Sequence, residues 1–159
     1  MVFGHQSITL GFWDTAGGEE HDPLRPLSYP HAAVVLICFA VDNPASFENV
    51  TRRWLPEILH FCSSPKVPLL LVGCKADTRT QAAATAARGG LVPAKSERGG
   101  FVTYEQGVAI AGAIGATAYL ECSSLTGEGV QEVIRSAGRM AASWDPNDPR
   151  PYQRHCRIF

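Results

Sequence analysis

The apolar positions of this chain change their spacing from one stretch to the next, and that change predicts most of its elements. From His5 to Trp13 they alternate, with Ile8, Leu10 and Phe12 on one face, which predicts a half-buried strand. Asp14 to Tyr29 is polar and rich in Gly and Pro, and reads as a loop with room for a short helix. Ala33 to Val41 is a continuous apolar run of the kind found inside a parallel sheet. Asn43-Pro44 then starts a helix, with Asn as cap and Pro at the first helical position. Phe47, Val50, Trp54, Ile58 and Phe61 follow at helical spacing, and Pro56 inside that run predicts a kink.

Val67 to Gly73 predicts a second buried strand. Asp77 to Gly100 is rich in Ala, Arg, Gly and Thr and reads as a surface insertion containing some helix. Thr103-x-x-Gln106 is a capping box opening a helix that ends near Gly115. Thr117 to Cys122 predicts a third buried strand, and Val130, Val133, Ile134 and Ala137 mark a last amphipathic helix. After Trp144 the residues are mostly Asp, Pro, Asn and Arg, which predicts a flexible tail. Strands alternating with helices predict an α/β fold with a parallel sheet. The pattern shows one domain over residues 1–144 and no internal repeat.

Composition narrows the function classes. The chain has 159 residues, 45% hydrophobic and 18% charged, which argues against wholesale disorder. Its formal charge of −1 is not that of a protein living on bulk contact with nucleic acid. The longest apolar run, Ala32 to Val41, is shorter than the ~18 residues a membrane span needs. No basic region followed by an apolar one opens the chain, so no secretory leader is expected. The five cysteines never form CxxC; Cys38, Cys74 and Cys122 lie in apolar stretches and read as reduced core thiols.

Chemistry in α/β folds sits in the loops that follow the strands' carboxyl ends. The first such loop here is Asp14-Thr15-Ala16-Gly17. A carboxylate there can hold Mg²⁺ through water, and Gly17 lets a backbone N–H approach a terminal phosphate. Alone, the pattern is also that of an ordinary turn. The second is Cys74-Lys75-Ala76-Asp77. Asp77 can accept two hydrogen bonds from guanine N1–H and its exocyclic amine, a donor pair adenine lacks, while the Lys75 stem covers the ring. A solvated charged loop is the plainer alternative. The third, Glu121-Cys122-Ser123-Ser124-Leu125, offers backbone N–H groups to the guanine oxygen and says little alone.

Together and in this order, the three loops resemble those of small GTPases of the Ras superfamily. Trp13 to Gly17 resembles the D-T-A-G motif, Cys74 to Asp77 the [NT]-K-x-D motif and Cys122-Ser123-Ser124 the C-S-A motif. Leu24-Arg25-Pro26-Leu27-Ser28-Tyr29-Pro30 and Trp54-x-Pro-Glu57 resemble the Rho branch, with an insert around 79–98 where Rho proteins carry theirs. The resemblance implies a P-loop-NTPase-like parallel sheet with flanking helices, and a guanine-nucleotide switch signalling to the actin cytoskeleton. It implies Cys74, Lys75, Asp77, Ser123 and Ser124 around guanine, and Asp14, Thr15 and Gly17 near the phosphates, with Asp14 holding Mg²⁺ through water. Leu24, Arg25, Leu27 and Tyr29 fall in the second switch, which meets exchange factors, activating proteins, dissociation inhibitors and effectors. Cys156-Arg157-Ile158-Phe159 reads as a C-a-a-X terminus, with Phe159 favouring geranylgeranyl on Cys156 and a location divided between cytoplasm and the cytoplasmic face of membranes.

The sequence also departs from the family. Rho proteins begin with a strand, a G-x-x-x-x-G-K-[ST] phosphate cradle, a helix and the first switch. With D-T-A-G at residue 14, the resemblance implies that roughly 45 residues of that pattern, the whole phosphate cradle among them, are absent here. Gly89 to Ser96 is a poor substitute, because Pro93 removes an N–H and no strand precedes it. A missing cradle is expected to cost on the order of 10 kcal/mol of phosphate binding. Gly18 stands where the family places the Gln that orients the attacking water, which predicts compromised hydrolysis. Cys74 replaces Asn or Thr, Ser124 replaces Ala, and Pro23 replaces the Arg before Leu24. The alternatives are a nucleotide-free, prenyl-anchored interaction module and a partial gene product.

Overall fold

The computed structural model describes residues 2–3, 6–7, 9–18, 20, 23–62, 67–88 and 100–144. Three parallel strands organise them: β3 (Val35–Ala40), β4 (Leu69–Cys74) and β5 (Ala118–Glu121), in the order β3-β4-β5. The register pairs Cys38 with Val72 and Ala40 with Cys74, then Val72 with Leu120 and Gly73 with Glu121. The β4 strand is central. Leu69 to Val72 are all buried, which is why its sequence is an unbroken apolar run rather than an alternating one.

Helices fill the crossovers. Asn43 caps α1 (Pro44–Asn49) by accepting from the Ser46 N–H. The expected kink at Pro56 takes a specific form. Val50–Trp54 is a π-helical turn, with the Leu55 N–H donating to Val50 O five residues back, and α2 (Leu55–Phe61) resumes beyond it. The wider turn clears the backbone one turn ahead of a residue that has no N–H to give. The α3 helix (Ala76–Ala87) occupies the start of the compositionally odd segment and buries no residue. The α4 helix (Tyr104–Ala113) opens with the predicted capping box, both of whose hydrogen bonds form. The α5 helix (Val130–Ser143) packs against β5 and buries Val133, Ala137, Met140 and Ala141.

The expected strand over residues 5–13 does not form. Val2–Phe3 (β1) and Gln6–Ser7 (β2) instead pair antiparallel with each other. Apart from an isolated bridge residue at Phe12, residues 9–18 run irregularly, and Phe12 and Trp13 are more than half exposed. An alternating apolar face specifies a strand only where a ladder partner and a covering layer meet it; among the described residues of this stretch Leu10 alone reaches the core, and only partly. The core-thiol reading also needs correction. Cys38 is exposed and Cys74 and Cys122 are half-buried. Cys38 lies on the face of β3 opposite the buried Ile37 and Phe39, beside a cavity rather than under a helix. Among the described residues no helix is long and apolar enough to cross a membrane.

One aromatic side chain sets the tightest packing. Tyr119 stacks on Phe39 and lies against Tyr104, and Gly73 and Gly107 leave the room its ring and hydroxyl occupy. A Cβ on Gly107 would enter the Tyr119 ring, whereas one on Gly112 of the same helix would meet open space. Helix propensity favours Ala over Gly at both positions by about 1 kcal/mol. Gly112→Ala should therefore stabilise the fold by ~0.5–1 kcal/mol, and Gly107→Ala should destabilise it by ~1–3 kcal/mol as overpacking prevails. Urea unfolding of the two variants checks this. Equal shifts would show that Tyr119 yields freely.

Candidate functional site

The carboxyl ends of β4 and β5 meet at one end of the sheet and bring two of the three sequence loops together. Cys74 ends β4. Its carbonyl accepts from the Val41 N–H at 2.9 Å, and the next N–H but one, Ala76, donates to Cys122 O at 3.1 Å. Between them Lys75 takes the left-handed conformation, φ 61° and ψ 36°, the only non-glycine among the described residues with positive φ. An L-residue there costs about 1–2 kcal/mol. Hydrogen bonds on both sides hold the turn, with Lys75 O accepting from the Thr78 N–H and hydroxyl at 3.0 and 2.7 Å.

The turn splits the two charged groups of the second loop. Lys75 points to solvent at its end, with Nζ 3.6 Å from Asp42 Oδ1. Asp42 follows β3, and that oxygen is buried with no hydrogen bond among the described residues. Asp77 lies in the first turn of α3, partly exposed, where its Oδ2 accepts from Gln81 at 3.3 Å. Ser123 is fully buried. Its hydroxyl accepts from the Thr126 N–H at 3.2 Å, its N–H donates to Glu128 O at 2.9 Å and its carbonyl accepts from the Gly127 N–H at 2.9 Å. These bonds fold residues 123–128 into a tight loop that leaves Ser124 exposed. Cys74, Lys75, Asp77, Ser123 and Ser124 are thus neighbours along one edge.

The three thiols of the sheet are linked in the same region. Cys38 and Cys74 influence each other's titration, as do Cys74 and Cys122. The neighbouring Cys74 thiol favours a charged sulfur on Cys38 and pulls it below its ordinary range, while Cys74 itself is pushed up. Burial raises Cys122 to about 11, and burial also raises Cys62 to about 11.

The first loop lies apart, on the side of β3 away from β4. Asp14, Thr15 and Gly17 are exposed and line a cavity of about 370 Å³ with Phe12, Arg25 and Cys38. Among the described residues no group of three or more His, Cys, Asp or Glu side chains is arranged to hold a metal ion. One carboxylate and one hydroxyl are the donor set of a Mg²⁺ ion shared with phosphate oxygens and water rather than of a protein cage. Asp14 and Thr15 fit that arrangement.

The second-switch residues divide. Leu24 and Leu27 are 64% and 76% exposed. Arg25 and Tyr29 are buried in a network that sequence reasoning missed. Arg25 donates from Nη1 to Glu57 Oε2 at 2.8 Å, from Nε to Ala16 O at 3.0 Å and from Nη2 to Gly18 O at 3.1 Å. Its guanidinium lies 5.0 Å from the Trp54 ring centre, and Tyr29 donates to Glu57 Oε1 at 2.7 Å. Arg25 therefore ties the first loop to α2. The signal was present as Trp54-x-Pro-Glu57, whose Glu57 needs a cationic partner where it is buried. Cys156 and the segment 89–96 lie outside the described residues.

Comparison with known proteins follows the same line. Residues 1–143 match the Ras family. The chain is 51% identical to GTP-binding protein rho1 of Schizosaccharomyces pombe over 135 residues, covering 84% of this chain and 62% of that protein. It is 46% identical to GTP-binding protein RHO1 of Candida albicans over 154 residues, 97% of this chain and 73% of that protein. It is 44% identical to Rho-related GTP-binding protein RhoD of Homo sapiens over 138 residues, 86% and 61% of the two chains. The chain spans about three fifths of the length of the first and third of these relatives.

The raised thiols have a pH consequence. Cys62 and Cys122 titrate near 11 when folded, and ordinary thiols near 9. Between those values the unfolded chain releases protons that the folded protein keeps, so this stabilisation is complete below about pH 9 and is lost as pH rises through about 11. Under reducing conditions the urea midpoint should be lower at about pH 10.5 than at about pH 8, and the fall should shrink in the Cys62→Ser, Cys122→Ser double variant. An equally steep fall in that variant would assign the effect to other groups.

Proposed function

This chain belongs to the Ras family, within its Rho branch of small GTPases, and from that premise we propose that it serves as a guanine-nucleotide-dependent switch. The observation that carries the reading is the meeting of Lys75, Asp77 and the Ser123 loop at the ends of β4 and β5, around a left-handed turn at Lys75. That turn directs Lys75 outward, where its stem covers one face of a flat base. Asp77 supplies the paired acceptor for guanine N1–H and the exocyclic amine, and adenine has no such donor pair. The exposed Ser124 side of the loop offers its backbone to the guanine oxygen. In this reading Asp14, Thr15 and Gly17 serve the phosphate side, where Mg²⁺ bound with the nucleotide would neutralise phosphate charge.

Loading is read by titrating the protein with fluorescent GDP and ADP. GDP should bind in preference, and Asp77→Ala should abolish the preference. Equal binding of the two nucleotides by the unaltered protein overturns the reading.

Hydrolysis is proposed to be slow. Gly18 has no group with which to orient water. Its place is not enforced by packing, since a Cβ there meets only the end of the flexible Glu20 side chain. Gly18→Gln should therefore be accommodated, and in a version of the protein extended to carry the family's phosphate cradle it should raise single-turnover GTP hydrolysis at least tenfold, within the range such positioning groups supply. An unchanged rate would remove position 18 from the account.

One observation favours a second reading, a surface that engages Rho regulators or effectors without nucleotide. Leu24 and Leu27 stand exposed beside Trp13 around a further cavity of about 270 Å³. Such a patch on a small domain is the kind that partner proteins cover. Signalling to the cytoskeleton, and geranylgeranylation of Cys156 with partition between cytoplasm and membrane, belong to the same proposal by family likeness. One prenyl chain with few basic neighbours gives only marginal, reversible membrane binding.

A further inference from the structure

The α3 helix carries Asp77, yet it buries no residue of its own. An amphipathic stripe does not hold it down. Its attachment is polar and concentrated one half-turn past Asp77, at Arg79.

Arg79 makes a two-pronged bond to Glu121 at the end of β5, Nη1 to Oε2 at 2.9 Å and Nη2 to Oε1 at 2.9 Å. Its Nη2 also donates to Val102 O at 2.6 Å, on the segment leading into α4. The same Oε1 of Glu121 accepts from the Tyr119 hydroxyl at 2.6 Å, and Tyr119 is wedged between Gly73 and Gly107. Glu121 is thereby fixed by the sheet, and Arg79 fixes α3 to Glu121. The single backbone bond from the Ala76 N–H to Cys122 O marks where the helix start meets the β5 loop.

The pair is poorly explained as a device for stability alone. Glu121 is 15% exposed and Arg79 31%, and Arg79 Nε is buried without a hydrogen-bond partner among the described residues. Desolvating two charges and leaving one donor unmet offsets much of the Coulomb gain. What the fork supplies is direction. A planar guanidinium held at two points fixes both the distance and the rotation of the helix that bears it. Rotation of α3 is the variable that decides whether Asp77 faces the space beside Ser123 and Ser124.

We propose that Arg79 and Glu121 are positioning residues for base recognition, setting the rotation of α3 so that the Asp77 carboxylate meets the guanine N1–H and amine together. The proposal rests on the guanine reading above. Neither residue touches the base. Glu121, with both oxygens committed, acts through Arg79, and Arg79 acts through the helix.

Two measurements test it. Amide hydrogen exchange at Ala76 reports the docking of α3 with no nucleotide present. Arg79→Lys, which keeps the charge and loses the fork, should exchange at Ala76 at least tenfold faster, with Leu71 in β4 unchanged. Glu121→Gln should do the same, and the double variant should add little. Unchanged exchange at Ala76, or equal acceleration at Leu71, overturns the proposal. The second measurement compares GDP with inosine diphosphate, which lacks the exocyclic amine. The unaltered protein should prefer GDP, and Arg79→Lys should reduce that preference at least fivefold by weakening GDP more than inosine diphosphate. If the unaltered protein shows no preference, the guanine reading itself fails and the proposal falls with it. If it shows the preference and Arg79→Lys retains it, the positioning role alone is overturned.

Discussion

Everything at the carboxyl ends of β4 and β5 depends on β4 being buried on both faces. Leu69 to Val72 have neighbours above, below and to each side, so the strand has one register against β3 and one against β5. A slip of one residue would turn Leu70 and Val72 to the other face, where Leu71 and Gly73 now pack. That would also carry Tyr119 out of the room that Gly73 provides. The position of Cys74, and of the turn that follows it, is therefore fixed by core packing several residues earlier. The apolar core does not touch the proposed ligand, but it sets where the polar residues emerge.

From that fixed edge, two ion pairs carry position outward. Arg25–Glu57 ties the first loop to α2, and Arg79–Glu121 ties α3 to β5. Both use an arginine whose two terminal nitrogens reach different acceptors, and in both a tyrosine hydroxyl completes the carboxylate, Tyr29 for Glu57 and Tyr119 for Glu121. Their burial differs. The Arg25 side chain is 3% exposed, so removing either partner would strand a charge out of water at a cost of about 3–5 kcal/mol. The Arg79 pair is wetter and worth less in stability. Its consequence is the orientation of a helix that nothing else buries.

The sequence was legible where local chemistry and periodicity agree. The capping box at Thr103, the Asn43-Pro44 start and the three apolar runs each place an element to within a residue or two of its observed bounds. Residues 5–13 misled because alternation predicts a strand only if a second strand and a covering layer are present, and alternation itself reports neither. The cysteines misled because an apolar run has two faces, and Cys38 sits on the uncovered one. The motif residues could be named one by one, but their couplings could not. Arg25 and Glu57 are 32 positions apart, and Arg79 and Glu121 are 42 apart. No spacing rule connects them; only the fold does.

Lys75 shows how strain and charge combine at such an edge. Its left-handed backbone costs about 1–2 kcal/mol and is retained by bonds that Val41, Ala76 and Thr78 make on either side. The same turn leaves its ammonium 3.6 Å from a buried Asp42 oxygen that has no hydrogen bond among the described residues. At that separation the contact is an attraction between charges rather than a hydrogen bond, so it biases the side chain without fixing it. Glycine would relieve the backbone but leave the Asp42 oxygen uncompensated, and an ordinary helix start would swing the ammonium away from it. Lysine in this one conformation satisfies both demands. Next to it, Cys74 meets two other thiols rather than a strong hydrogen-bonding partner. The geometry of this edge is therefore set by backbone bonds and by Asp42, Arg79 and Glu121, and the side chain of residue 74 adds only weak sulfur contacts.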